Sequence, residues 1–447
     1  MNLIYDVKDK PKLGQLIIFA LQQMLAIMAA TLVVPLIVNS TGAVNLEMDP
    51  AAALLGAGMG TLVYILFTKA NSPVFLGSSF AFLSAMASAT AFGYFGIIAG
   101  AVLAGLVYVA IAIVVKFVGA KWVSKLMPPV IIGPTVALIG LSLAGNAVSD
   151  LTKSSATGAA YSLVAILCGL VTLAVTMLCS TYGKKMARLI PFVIGILAGY
   201  ATASILTAIG NAAGIEALKI IDYSALTSNF ADVSLSSFFG VPKFAFIQAA
   251  KEGGFDWSAL GTIALLYMPV AFVVFAEHIA DHKNLSSIIG RDLVEGEPGL
   301  SRTLLGDGVG SMVGAFFGSC PNTTYGESIG CVAITRNASV YSILAAAIGS
   351  ILLAFFTPFV CFVNTIPSCV MGGVCVALYG FIAVSGLKMF KNVDLDDNRN
   401  LFVVSVILIS GIGGLALNFG KITITGIATA LILGILTNVI LSKKAKA

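Results

Sequence analysis

Five stretches of this chain, residues 14–38, 50–68, 159–180, 341–363 and 422–441, are apolar on every side and long enough to cross about 30 Å of hydrocarbon as helices. A soluble chain hides such runs only inside a large polar shell. Here 58% of the residues are hydrophobic and 10% are charged, against about a quarter charged in a soluble domain of ordinary composition. The alternation of a β-barrel is absent. The fold class expected is therefore an all-α integral membrane protein. Further runs extend the count to about fourteen transmembrane segments, near 14–38, 50–68, 74–92, 94–115, 127–147, 159–180, 190–209, 259–281, 303–319, 327–338, 340–363, 367–387, 401–418 and 422–441.

Charge tests that count. With both termini cytoplasmic, all of the 25 basic residues fall on the cytoplasmic side except Lys153, Lys219, Lys243, Lys251 and Lys421, as the positive-inside rule asks. The net charge of +5 then belongs to cytoplasmic loops and does not point to nucleic acid. No cleavable leader is expected, because the first twelve residues mix both charge signs and no small-residue cleavage site follows a short apolar core. The seven cysteines lie almost wholly in apolar runs, without zinc-ligand spacing and far along the chain from His278 and His282. They read as small buried hydrophobes rather than a disulfide framework.

The chain echoes itself. Val136-Ala137-Leu138-Ile139-Gly140 returns as Val376-Ala377-Leu378-Tyr379-Gly380, each after a proline- and glycine-rich start. Residues 1–209 and 258–447 are expected to form two seven-span repeats joined by an extracytoplasmic segment, 210–257, to which no function is assigned. With an odd number of spans the second repeat is inverted, an organisation typical of secondary transporters.

Two polar interruptions take corresponding places in these halves, "SPVFLGSSF" from Ser72 and "CPNTTYGESIG" from Cys320. Broken backbone inside a membrane survives only where protein or a wet cavity satisfies it. Two facing breaks in the third and tenth spans would present helix N-termini to a small polar pocket; two ordinary outer loops are the alternative the sequence leaves open. Intramembrane carboxylates default to substrate or proton binding, which singles out Glu327, Glu277 and Asp307. Asp281 lies one turn after Glu277 on the same helical face, yet "DHK" at 281–283 also suits the cytoplasmic end of a span. His278 points about 100° away from Glu277 and is expected to pack elsewhere.

The stretches "LGSSFAF" from Leu76, "PVAFVVFAEH" from Pro269, "FFGSCPNTTYGESIGCVAITR" from Phe316 and "VMGGV" from Val370 resemble the nucleobase–ascorbate transporter (nucleobase:cation symporter-2) family, its bacterial uracil carriers above all. The resemblance implies a core domain from spans 1–4 and 8–11 and a gate domain from spans 5–7 and 12–14. It implies that Glu277 and Glu327 bind the base, with backbone contacts at Phe80, Tyr325 and Gly326. It also implies uracil import by proton symport through alternating access, in a multi-pass protein of the cell membrane that is often a homodimer and needs no cofactor beyond the coupling cation. Departures from the uracil pattern are Gln22-Gln23 for a Gln-His pair, Asp281 for the coupling histidine, Ser328 for asparagine and Asp307 for asparagine. Gln23, Ser79, Asp281, Asp307 and Ser328 are thus expected to support the site or carry the proton. Asp281 and Asp307 resemble the oxopurine branch, so xanthine or uric acid, a dual range or Na⁺ coupling is the alternative.

Other classes fit less well. A channel needs a continuous hydrophilic path, and no span carries a regular polar stripe. An anion exchanger of similar organisation would meet repulsion from pocket carboxylates. An enzyme is not expected, since no nucleophile–base pair or metal-ligand set occurs within any helical turn.

Overall fold

The computed structural model describes residues 3–41, 46–184, 186–253, 257–419 and 422–442. Lys185, Lys421, Lys443, Lys444 and Lys446 of the charge pattern lie outside the described residues. Eight helical stretches among those described are long and apolar enough to cross a membrane, and Val340–Ala354, Asn398–Ile412 and Gly426–Ser442 are shorter apolar helices. The fold is thus mostly helical.

The helices sort by packing into two groups. In the first, Leu13–Thr41, Pro50–Phe67, Gly93–Val118, Leu260–Ile289, Leu300–Phe317 and Val340–Ala354 pack on one another. The second joins Pro129–Ser142, Ala144–Thr152, Leu163–Tyr182, Pro191–Ala213, Ser368–Lys388, Asn398–Ile412 and Gly426–Ser442. Small residues set the closest approaches, as expected where lipid removes the hydrophobic drive between helices. A Cβ on Gly60 would lie 2.8 Å from the Gly310 carbonyl, and one on Gly310 would lie 2.8 Å from the Gly60 carbonyl. The echoed pentapeptides meet in the second group, where a Cβ on Gly140 would lie 2.2 Å from the Tyr379 carbonyl.

The two polar interruptions are not loops. Leu76–Ser78 (β1) and Asn322–Thr324 (β2) form an antiparallel pair, with Leu76 opposite Thr324, Gly77 opposite Thr323 and Ser78 opposite Asn322. All six residues are buried. The pairing extends outward through Ser79 N–H to the Pro321 carbonyl (2.9 Å) and Tyr325 N–H to the Phe75 carbonyl (3.2 Å). A short helix follows each strand: a 3₁₀ turn Phe80–Phe82 continuing as Leu83–Ala89, and Gly326–Thr335.

Several expected boundaries need correction. The run read as one span over 340–363 ends at Ala354 and restarts as Thr357–Asn364, with Pro358 in the first turn of the new helix. Between the two, Phe356 pairs with Phe239 of the connecting segment. The 401–418 run stops at Ile412, and Leu417–Phe419 pairs with Ile422–Ile424 as a hairpin. The helix carrying Glu277 runs through Asp281 to Ile289 and ends at Gly290, whose φ of 70° is left-handed. Asp281 is therefore mid-helix and does not mark a helix end. The connecting segment is tied down on the first group: Glu252 accepts from Tyr94 N–H at 3.0 Å, and Lys243 Nζ meets Glu47 at 3.2 Å.

Gly60→Val drives a branched side chain against Asn322 Nδ2, 2.1 Å from the added Cβ, and should lower stability by roughly 1–3 kcal/mol. Thermal unfolding in detergent reads this; Gly261→Ala, with nothing within 4 Å of its Cβ, should leave the midpoint near that of the parent.

Candidate functional site

The cavity lies where the strand pair ends. Leaving β1 the chain turns at Ser79 into the Phe80 turn, and leaving β2 it turns at Tyr325 into the helix that begins at Gly326. Local chemistry fixes both turns. A Cβ on Gly77 would strike the Tyr325 ring at 2.4 Å, so the strand approaches the ring only as glycine. The Tyr325 hydroxyl donates to the Ser78 carbonyl at 2.9 Å, Thr61 bonds both the N–H and the carbonyl of Leu76 (3.0 and 3.2 Å), and Ser311 donates to the Asn322 carbonyl at 2.8 Å. Side chains from neighbouring helices thus satisfy backbone groups that the breaks set free.

A cavity of about 310 Å³ opens beside these turns. Glu277, Asp281, Glu327, Phe80, Tyr325 and Gly326 all line it. The three carboxylates are partly buried and face it from two elements, helix 260–289 and the first turn of helix 326–335. Asp281 Oδ2 accepts from the Thr324 hydroxyl at 2.6 Å, which links the long helix to β2. Glu327 sits where a helix N-terminus favours negative charge. A Cβ on Gly326 would meet nothing within 4 Å, so backbone is accessible there.

The remaining residues singled out earlier stand behind this lining. Ser328 Oγ accepts from the Phe75 N–H at 3.0 Å, and its carbonyl accepts from Gln23 Nε2 at 3.3 Å. Ser79 and Gln23 are buried, and Ser79 acts through its backbone N–H rather than its side chain. Asp307 is fully buried and bonds His278, away from the cavity. His278 packs on the far face of its helix, as its 100° offset from Glu277 requires. All seven cysteines are free.

Sequence reasoning missed the opposite wall. Val136, Phe192 and Phe381, from the second helix group, line the cavity, and Phe80 meets Tyr379 of that group edge to face at 5.4 Å. Their apolar side chains look like any lipid-facing residue in the sequence. Arg188 also lines it, and Arg188 and Ile334 border a wider recess with Gln22 and Lys184. Thr323 and Thr324 lay within the quoted motif but drew no separate attention.

A fold of broken helices around such a cavity defines a membrane permease, and comparison with known proteins agrees. The family model described as "Permease family" (Xan_ur_permease) matches residues 14–419. The uracil permease of Bacillus caldolyticus is 40% identical over 448 residues, 99% of this chain and 96% of that protein. The uracil permease of Escherichia coli (strain K12) is 35% identical, covering 96% and 92%. Among solved structures, the transmembrane domain of the cyanobacterial bicarbonate transporter BicA superposes with a TM-score of 0.61 at 15% identity, covering 97% of this chain and 100% of that one. This chain belongs to the permease family that its motifs resemble, the nucleobase:cation symporter-2 group, and is a multi-pass membrane transporter rather than an enzyme.

Ser328→Ala leaves the buried Phe75 N–H without its acceptor and should cost about 1–3 kcal/mol. Unfolding in detergent should register it, whereas Ser287→Ala, which removes an exposed bond within its own helix, should have little effect.

Proposed function

We propose that this protein imports uracil by proton symport, through alternating access of one mid-membrane site. The observation carrying the reading is the convergence of Glu277, Asp281 and Glu327 with the backbone at two helix starts on a single cavity. Uracil is a flat, neutral ring with alternating N–H donors and carbonyl acceptors. Glu277 and Glu327 accept from its N–H groups, and the backbone N–H groups of Phe80 and Gly326 donate to its carbonyls, with Tyr325 lining the site between them. A base lacking one of these groups leaves a buried partner unpaired, which is how such a site discriminates. The volume is at the lower end for small-molecule sites. Two relatives named uracil permease at 35–40% identity support the substrate.

Three carboxylates about one small cavity hold mutually repelling charge that a bound proton relieves. Asp281 carries the coupling proton with Glu277, and Thr324 holds its carboxylate in place. The first helix group is the core domain bearing the site, and the second is the gate domain supplying Val136, Phe192 and Phe381. The two halves form an inverted repeat of fourteen spans. The core shifts against the gate, exposing the site to either side in turn; the recess at Arg188 and Lys184 is the inner exit. The protein works as a homodimer in the cell (plasma or inner) membrane with both termini cytoplasmic, and the coupling proton is its only cofactor.

Glu277→Gln should abolish gradient-driven uracil accumulation in proteoliposomes while the protein still purifies folded. Uptake at the parental rate would sink the assignment. Glu327→Gln weakens a hydrogen bond to a charged acceptor, worth about 1.5–3 kcal/mol, and should raise the half-saturation concentration for uracil about tenfold or more. Parental accumulation should collapse with the proton gradient and ignore excess xanthine.

A further inference from the structure

On the face of helix 260–289 turned away from the cavity lies a buried polar chain that the proposed transport reading leaves without a role. His278 Nδ1 is 2.7 Å from Asp307 Oδ2, and its Nε2 is 3.0 Å from Thr303 Oγ1. Thr303 Oγ1 lies 3.1 Å from the Leu300 carbonyl. The His278 ring stacks on His282 at 4.0 Å. His282 Nδ1 is 2.8 Å from the His278 carbonyl, and its Nε2 is 2.7 Å from the Tyr64 hydroxyl. His278, His282, Thr303 and Asp307 are all buried.

Counting hydrogens limits the donors. A carbonyl only accepts, so His282 carries its hydrogen on Nδ1; its Nε2 faces the Tyr64 hydroxyl, whose other partner is Ser72 Oγ at 2.8 Å. The single Thr303 hydroxyl hydrogen goes either to the Leu300 carbonyl, with His278 Nε2–H donating to Thr303, or to His278 Nε2. One hydrogen lies between His278 Nδ1 and Asp307 Oδ2 at 2.7 Å: it belongs to Asp307 when the pair is neutral and to His278 when Asp307 is ionised. An ionised Asp307 would be worse placed. Its Oδ1 has no hydrogen-bonding partner among the described residues, and the one basic group within 4 Å of it there is His278, so ionisation leaves either a buried carboxylate held by one N–H or a buried ion pair. Either is expensive, whereas a protonated carboxyl in an apolar site is a good hydrogen-bond donor.

We infer that Asp307 is a retained carboxylic acid that donates to His278, a positioning pair that fixes the back of the helix presenting Glu277 and Asp281. Its proton is held through the transport cycle and is not the one exchanged. The inference rests on the proposed transport reading only for its activity readout.

Asp307→Asn keeps both the size and a donor to Nδ1. It should retain gradient-driven uptake within about threefold with an unmoved pH profile, whereas Asp307→Leu should lose at least tenfold. Infrared spectra of the purified protein at neutral pH should show a protonated-carboxyl stretch that Asp307→Asn lacks. Two outcomes overturn the inference: identical carboxyl bands in parent and Asp307→Asn, or an Asp307→Asn protein that still exchanges uracil but no longer accumulates it. Should the parent fail to carry uracil at all, the infrared difference still decides the protonation of Asp307.

Discussion

Everything at the centre of this molecule depends on six paired residues. A helix interrupted inside a membrane exposes N–H and C=O groups to a medium that cannot bond them, and here two interruptions satisfy one another as β1 and β2. Neither break is tenable alone, because each strand is the other's partner. The pairing also sets where the following helices begin, which brings Gly326 and the Phe80 turn to one cavity. Site geometry is thus a by-product of backbone satisfaction. The supporting hydroxyls of Thr61, Ser311, Tyr325 and Ser328 come from both halves of the chain, so the cavity forms only when both are packed.

Packing around that centre is uneven in a way that matters. Glycine contacts such as Gly60–Gly310 and Gly105–Gly308 bring backbones of the first helix group together. Glycines likewise seal the second group at Gly140 and Gly386. Between the groups, contacts at the cavity are made by side chains, such as Phe80 against Tyr379. Side-chain contacts can be exchanged at lower cost than interlocked backbones. The proposed motion of one helix group against the other would exchange such side-chain contacts and leave the interlocked backbones intact.

Much of this was legible in the sequence, because membrane burial makes polarity conspicuous. Run length identified the long apolar helices, and Pro, Gly and hydroxyl residues identified both breaks. Glu277, Asp281 and Glu327 stood out because a carboxylate amid apolar residues has few bland explanations. What stayed hidden was tertiary. Phe192 and Phe381 have no signature separating a cavity wall from a lipid face. The break after Ala354 is made by pairing with Phe239, more than a hundred residues earlier in the chain. Asp307 stood out for the same reason, but its partner is His278 on another helix, and no spacing rule reports that.

The likeness to a bicarbonate transporter at 15% identity shows how far fold and chemistry can separate. The two proteins share an arrangement of helices, and the architecture alone cannot choose its cargo. In this chain the pocket holds three carboxylates and a single guanidinium, that of Arg188, at its edge. An anion entering it would face repulsion from most of its wall, while a neutral ring rich in N–H donors would find acceptors on two sides. Helix N-termini, which by themselves attract anions, would in the proposed reading face the carbonyls of that ring, because Glu327 already occupies the first turn of one of them. A few side chains at the breaks therefore set the charge that the pocket accepts, and the scaffold sets only where the cargo is held.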